Sequence, residues 1–259
     1  REGMTLGNFF ESKVKIFVGI FLYKIGFLPK IYDNRIKAAI IIKNYYKKFK
    51  KLKLIYDEKG YFKVDPMPSA KELSNFYEKI YPLKSNAIYD PIKIRDIDHY
   101  KLINKIFPDF NNSKKNILNF GSGHGGVSIL FKIAGHKVYN LDPSETIRYF
   151  DEDWHNIRSF SELNCNIDLI YGSHSLEHVT NIEEVINNFK KISNNNTKFF
   201  FEVPNHPINQ KHSIDPPHTY YFSRLFFQNN FKKIQHNKTY SISGVLANED
   251  EGEVIRFVS

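Results

Sequence analysis

Four glycines and one aspartate have the types and spacing needed to hold a nucleoside. Gly121, Gly123, Gly125 and Gly126 follow the apolar run Ile117 to Phe120 and precede Val127, Leu130, Phe131 and Ala134, which recur at helical spacing. Glycine lets a chain turn sharply and lets a ligand approach the backbone closely, because no Cβ stands in the way. A second strand is expected over Lys137 to Leu141, and Asp142 at its tip is placed to accept hydrogen bonds from ribose hydroxyls. Histidines form the other reactive group. His174 and His178 follow a later apolar run, and His206, His212 and His218 lie in a proline-rich stretch. Imidazole is the side chain best matched to proton transfer near neutral pH.

Two cofactor templates fit the glycines. Gly121, Gly123 and Gly126 satisfy the dinucleotide pattern G-x-G-x-x-G, with Asp142 at about the expected distance. The segment NFGSGHG, Asn119 to Gly125, equally resembles the E/D-x-G-x-G-x-G loop of S-adenosylmethionine (SAM) methyltransferases, with Asn119 in place of the acid. Later residues favour the second. Ser173, His174, Ser175, Leu176, Glu177, His178 and Val179 are similar to the "s-h-v-l-E-H-v" motif after the fourth strand of small-molecule SAM methyltransferases. KFFFEVPN, Lys198 to Asn205, resembles that family's fifth strand, and HTYYFSRLFFQNNFKKI, His218 to Ile234, its late "h-x-y-f-s" segment. A nicotinamide enzyme would need a hydride-transfer site, and none is visible.

The resemblance spans about residues 115 to 258 and implies a class I SAM-dependent methyltransferase. It implies an α/β fold, a doubly wound, mostly parallel seven-stranded sheet, with residues 1–110 as a basic, mostly helical extension or lid and 111–259 as the SAM-binding core. It implies donor contacts from Asn119, Phe120, Gly121, Ser122, Gly123, Gly125, Asp142, Pro143, Ser144, Ser159, Phe160, Ser173 and His174. His178, His218 and His206 are the candidate bases toward an acceptor. Glu177 and Glu202 are read as structural. Ligands in such a sheet sit beyond the carboxyl ends of the strands.

Upstream, Ser69 and Glu72 have capping-box spacing ahead of Leu73, Phe76, Tyr77 and Ile80 on one helix face. That segment resembles "p-s-x-x-e-L-x-x-f-Y", found ahead of the core in bacterial enzymes that modify sugars of surface polysaccharides. The resemblance therefore implies O-methylation of a small phosphorylated or nucleotide-linked precursor. A lipid-borne or membrane-proximal acceptor, N-methylation of a small metabolite, and a non-catalytic SAM-binding protein remain the other readings.

Composition narrows the classes further. At 259 residues with 41% hydrophobic and 25% charged content, the chain suits one well-buried α/β domain with an added segment. Residues 1–59 hold 14 Lys and Arg against 5 Asp and Glu, and the other 200 residues hold 23 of each sign, so the net charge of +9 lies wholly upstream. Helices are expected at 8–28 and 35–55, the second with Ile36, Ala39, Ile40, Phe49 and Leu52 on its apolar side and lysines opposite. Such charge suits a small anionic acceptor, with peripheral membrane contact as a further use.

No RNA module accompanies the charge. Asp215-Pro-Pro-His differs in place from the D/N-P-P-Y motif of base methylation, which follows the fourth strand, so nucleic acid is not expected as a partner. The longest apolar run, Ile16 to Leu28, is too short to cross a membrane and contains Lys24. A single Cys165 excludes an intramolecular disulfide and suits a cytoplasmic setting. His206, His212, His218 and Asp215 match no standard zinc spacing, and no metal is expected.

Overall fold

Short apolar runs alternating with amphipathic helices pack into two sheets. The computed structural model describes residues 43–49, 51–80, 92–123, 125–142, 154–248 and 251–259. The expected helix at 8–28, most of the one at 35–55, and Pro143 and Ser144 lie outside those residues.

Helix α1 occupies residues 43–49. The helix expected to run to residue 55 is instead followed by a hairpin of β1 (Lys53–Asp57) and β2 (Tyr61–Asp65). Gly60 makes the turn at φ +94°, and a Cβ there would meet the Phe226 backbone nitrogen at 2.4 Å. Its carbonyl accepts from both the backbone N–H and the Oγ of Ser223. The hairpin is thus docked on the start of a late helix, far away in sequence.

Helix α2 (Ala70–Asn75) starts at the predicted Ser69–Glu72 capping box and runs on as a π-turn over Phe76–Ile80. Lys48 of α1 pairs with Glu72, and the Tyr45 ring lies 4.7 Å from that of Phe76. Helix α3 follows at Ile94–Ile106.

The main sheet then forms in the expected order. Its members are β3 (Asn116–Phe120), β4 (Lys137–Leu141), β5 (His155–Ile157), β6 (Leu169–Ser173) and β7 (Lys198–Pro204), all mutually parallel. Helix α4 (Gly126–Ile133) links β3 to β4, and α5 (Ile182–Ile192) links β6 to β7. A short strand β8 (Tyr220–Phe222), helix α6 (Arg224–Asn230), and strands β9 (His236–Tyr240) and β10 (Val254–Val258) complete the chain.

The strand order is β5-β4-β3-β6-β7-β10-β9, a seven-stranded sheet with β10 and β9 antiparallel. The last strand therefore inserts between β7 and β9 instead of closing the sheet at its edge. Strand β8, not foreseen, joins the hairpin in a three-stranded sheet β1-β2-β8, so hydrogen bonds cross the expected division at residue 110.

Both faces of the parallel strands are covered, which is why they read as continuous apolar runs. Ile117, Leu169, Tyr171 and Phe200 face one side with Ile103, Val127 and Phe131 from α3 and α4. Their neighbours Leu118, Ile170 and Phe201 face the other with Ile182, Ile186, Phe189, Phe226 and Phe227 from α5 and α6.

The spacing of Thr180 and Glu183 predicts a cap at Thr180 for α5, and Ser223 is placed to cap α6, but both starts differ. Asn181, not Thr180, caps α5 by accepting from the Glu184 N–H at 3.2 Å. Ser223 precedes α6, but its hydroxyl is committed to Gly60.

His236 links the last strands to stability. Burial, then Lys238 and Arg256, push its pKa down to about 4, and its Nε2 meets the Tyr240 hydroxyl at 2.8 Å. A depressed folded-state pKa means that the unfolded chain binds the proton first. Stability from this group is then full above about pH 6.5 and is lost as pH falls toward 4. After discounting for partial exposure, about 1 kcal/mol is expected. Denaturant melts at pH 7 and pH 4.5 should show a smaller acid loss in His236→Gln than in the parent.

Candidate active site

Strand β3 ends at Phe120, and the chain turns through Gly121, Gly123 and Gly125, all with positive φ. At Gly121 (φ +67°) a Cβ would fall 2.3 Å from the Cβ of Ser175, in the loop after β6. At Gly123 a Cβ would meet nothing within 4 Å, so open space lies over the loop. Asp142 follows β4 and accepts the Gly123 N–H on Oδ2 at 3.0 Å, which ties the acid to the loop. Gly125 caps α4 from the left-handed region and lies behind the turn.

These groups form one end of a cavity of about 400 Å³ between β3 and β6, where the connections leave in opposite directions. Phe120, Gly121, Gly123, Leu141 and Asp142 line that end. Arg158 and Phe160 stand after β5, with Val179, Thr180 and Val185 beside them. Phe160 stacks on Phe120 at 5.9 Å between ring centroids. His174, Ser175 and His178 form the wall after β6, and Ala70, Leu73, Ser74 and Tyr77 close it from α2 and its π-turn.

Several expected donor contacts lie elsewhere. Asn119 is buried, and its Nδ2 donates to Ser128 Oγ at 2.8 Å, which in turn donates to Asn140 Oδ1 at 2.6 Å. That chain fixes β3, α4 and β4 beneath the loop and turns Asn119 away from the cavity. Ser122 and Ser173 do not line it. Ser159 caps the turn Phe160–Glu162 and is exposed, while its neighbours Arg158 and Phe160 face inward. Arg158, Leu73, Ser74, Tyr77 and Ser175 are lining residues that sequence reading missed. The α2 stripe of Leu73 and Tyr77 signalled a buried face, but only the tertiary fold shows what it faces.

A charged layer lies under the far wall. His174 takes a left-handed backbone (φ 51°), which sets its ring between two buried carboxylates. Nδ1 lies 3.2 Å from Glu177 Oε1 and Nε2 lies 3.3 Å from Glu202 Oε1. Burial works against its proton, but the two carboxylates outweigh it and raise the pKa to about 9. Burial likewise opposes charge on Glu177, and the histidines win, lowering it to about 2. Glu202 is held far below the carboxylate range despite burial. Its Oε2 accepts from Arg256 Nε at 2.7 Å and lies 2.7 Å from His99 Nε2. The expected structural role of both glutamates fits this layer.

His178 faces the cavity. Burial lowers its pKa to about 4, so the ring is neutral at neutral pH. Its centroid lies 4.9 Å from that of His218 and 5.7 Å from that of Tyr77. His206 packs on Tyr221 and His212 and does not line the cavity. Of the three candidate bases only His178 lines the cavity, and the fold packs His218 against it.

The sequence matches a methyltransferase domain over residues 93–242, more than half of the chain. The chain belongs to the methyltransferase-domain family. No curated protein matches the sequence.

Among solved structures, the methyltransferase resembles the 1,6-didemethyltoxoflavin-N1-methyltransferase of Burkholderia thailandensis, crystallised with its substrate and S-adenosylhomocysteine. There the identity is 13% over 80% of this chain and 97% of that one, with a TM-score of 0.55. It also resembles the magnesium protoporphyrin IX methyltransferase of Synechocystis, at 10% identity over 73% and 98% of the chains and a TM-score of 0.51. A methyltransferase assigned to an antibiotic biosynthesis pathway of Anabaena variabilis aligns at 18% identity over 43% and 48%, with a TM-score of 0.35. The first two likenesses establish the fold, the Rossmann-like sheet of SAM-dependent methyltransferases.

The residues present fit that donor. The open space over Gly123 admits a ligand against the backbone, Asp142 supplies an acceptor at the tip of β4, and Phe160 with Val185 offers apolar surface for a base. Among the described residues no helix is long and apolar enough to cross a membrane.

Proposed function

We propose that this methyltransferase transfers the methyl group of SAM to a hydroxyl of a small anionic acceptor, a phosphorylated or nucleotide-linked precursor of a bacterial surface polysaccharide. The observation that carries the reading is His178 in the wall of the cavity that begins at Gly121 and Asp142, with its Nδ1 lacking a hydrogen-bond partner. When bound, SAM supplies a methyl group already activated on a sulfonium.

The protein then has to align the partners and exclude water. Gly121, Gly123 and Asp142 hold the donor end. Leu73, Tyr77 and Phe160 keep the space dry. His178 is positioned to accept a hydroxyl proton, and His218 packs against it to fix the ring. Support for an anionic precursor comes from the charge of the first 59 residues and from the Pro68 to Tyr77 segment, whose likeness is to sugar-modifying enzymes. Such precursors are cytoplasmic, which is where we place the enzyme.

Labelled methyl transfer to a panel of sugar nucleotides, their neutral sugars and small amines tests this. Preference for the anionic hydroxyl compounds is expected, and preference for amines would overturn it. The same charge favours a second reading, a membrane-proximal acceptor reached through the basic N-terminal residues. Cosedimentation with anionic vesicles at physiological salt distinguishes the two.

A further inference from the structure

We infer that Glu177, His178 and His218 form a site for a divalent transition metal ion, zinc in class, at the acceptor end of the cavity. Among the described residues these three gather one ligand atom each within 4.8 Å of one another. They come from a single loop after β6 and from the loop just before β8, about forty residues away, so the gathering is made by the fold.

What distinguishes the set from an ordinary polar cluster is its unused bonding capacity. Glu177 is 1% exposed, yet its Oε2 has no hydrogen-bond partner and its Oε1 meets only the His174 ring. The Nδ1 atoms of His178 and His218 are likewise buried and without one. Buried polar atoms are nearly always paired, and a group of them left open together points to a missing ligand. Contact of Glu177 Oε1 with His174 at 3.2 Å does not consume the carboxylate, which has lone pairs for both.

The donor set selects the ion. Two imidazoles and one carboxylate suit zinc or a neighbouring first-row ion, whereas magnesium and calcium take oxygen ligands. Tetrahedral zinc with bonds of about 2.0–2.2 Å places ligand atoms roughly 3.3–3.6 Å apart. The ligand atoms lie within 4.8 Å of one another, so binding the ion requires the widest separation to close by about 1.2 Å. Three protein ligands leave a position open, as in catalytic zinc sites, and His178, one of the three, lines the cavity.

The inference rests on the proposed function and sharpens it. A hydroxyl bound at the open position ionises near neutral pH, as a zinc-bound water does, its proton passing to bulk water. In the metal-bound form His178 would activate the hydroxyl as a ligand, and in the metal-free enzyme it does so as the base.

The test is titration of zinc chloride into chelator-treated enzyme, with cobalt(II) absorption as a second readout and S-adenosylhomocysteine binding measured on every sample. One zinc per chain is expected, weakened at least ~100-fold by His218→Ala and by His178→Ala. His212→Ala and Asp142→Ala should leave it unchanged. Glu177→Gln serves as a third variant where circular dichroism shows it folded. Absence of stoichiometric zinc, or zinc lost in His212→Ala but kept in His218→Ala, overturns the site. Failure to bind S-adenosylhomocysteine would instead overturn the donor reading, so the two failures are distinguishable.

Discussion

Replacement of His178 by alanine is expected to lower methyl transfer by about 10²–10⁴-fold, while affinity for S-adenosylhomocysteine stays within about twofold. The side chain lines the same cavity as Gly121 and Asp142 but comes from a different loop, the one after β6. Its loss should therefore remove acceptor activation without touching the donor contacts. Single-turnover transfer from labelled SAM, paired with calorimetric binding, reads both quantities on one preparation. An equal fall in affinity and rate would show that His178 supports the fold of the donor site and has no chemical part. His218→Ala should fall in the same direction with retained donor binding, because its ring packs against His178 at 4.9 Å and not against the loop.

Gly121→Val should abolish donor binding outright, by more than ~100-fold. A Cβ at this position would fall 2.3 Å from that of Ser175, and the positive φ adds backbone strain of about 1–2 kcal/mol for any L side chain. Relief requires the loop after β3 and the loop after β6 to separate. These two loops bound the cavity, so donor and acceptor ends are both lost. Thermal melts should still show a cooperative transition, because the parallel strands bury apolar side chains on both faces. Retained binding in a folded Gly121→Val protein would move the donor away from this turn.

The donor half of the site was legible from sequence because it is local. Glycines, a helix stripe and an acid at the tip of the next strand all fall between Asn116 and Asp142. Periodicity gave the strands to within about two residues. The apolar run before His174 begins at Ile167, but strand β6 starts at Leu169, since the Ile167 N–H is taken by the carbonyl of Ile192. The cap of α5 moved by one residue because Thr180–Glu183 and Asn181–Glu184 both have the spacing, and side-chain geometry chose the second.

Less legible were features made by distant pairing. The lysine-rich run after α1 has helical composition, but backbone pairing of β2 with β8 converts Lys53–Asp57 into part of a sheet. Gly60 was the available signal for that turn. Asn119 was read as a donor contact from its place in the motif, yet Ser128 on α4 draws it beneath the loop. The approach of His218 to His178 joins residues about forty positions apart, and no local pattern announces it.

Calorimetric titration of S-adenosylhomocysteine, with Asp142→Ala and with NADH as comparisons, tests the central claim most directly. Saturable binding at one site per chain, weakened at least ~10-fold in Asp142→Ala and absent for NADH, is the result predicted from a carboxylate that accepts from the donor ribose. Binding of NADH in place of S-adenosylhomocysteine, or equal binding in the parent and Asp142→Ala, would contradict it.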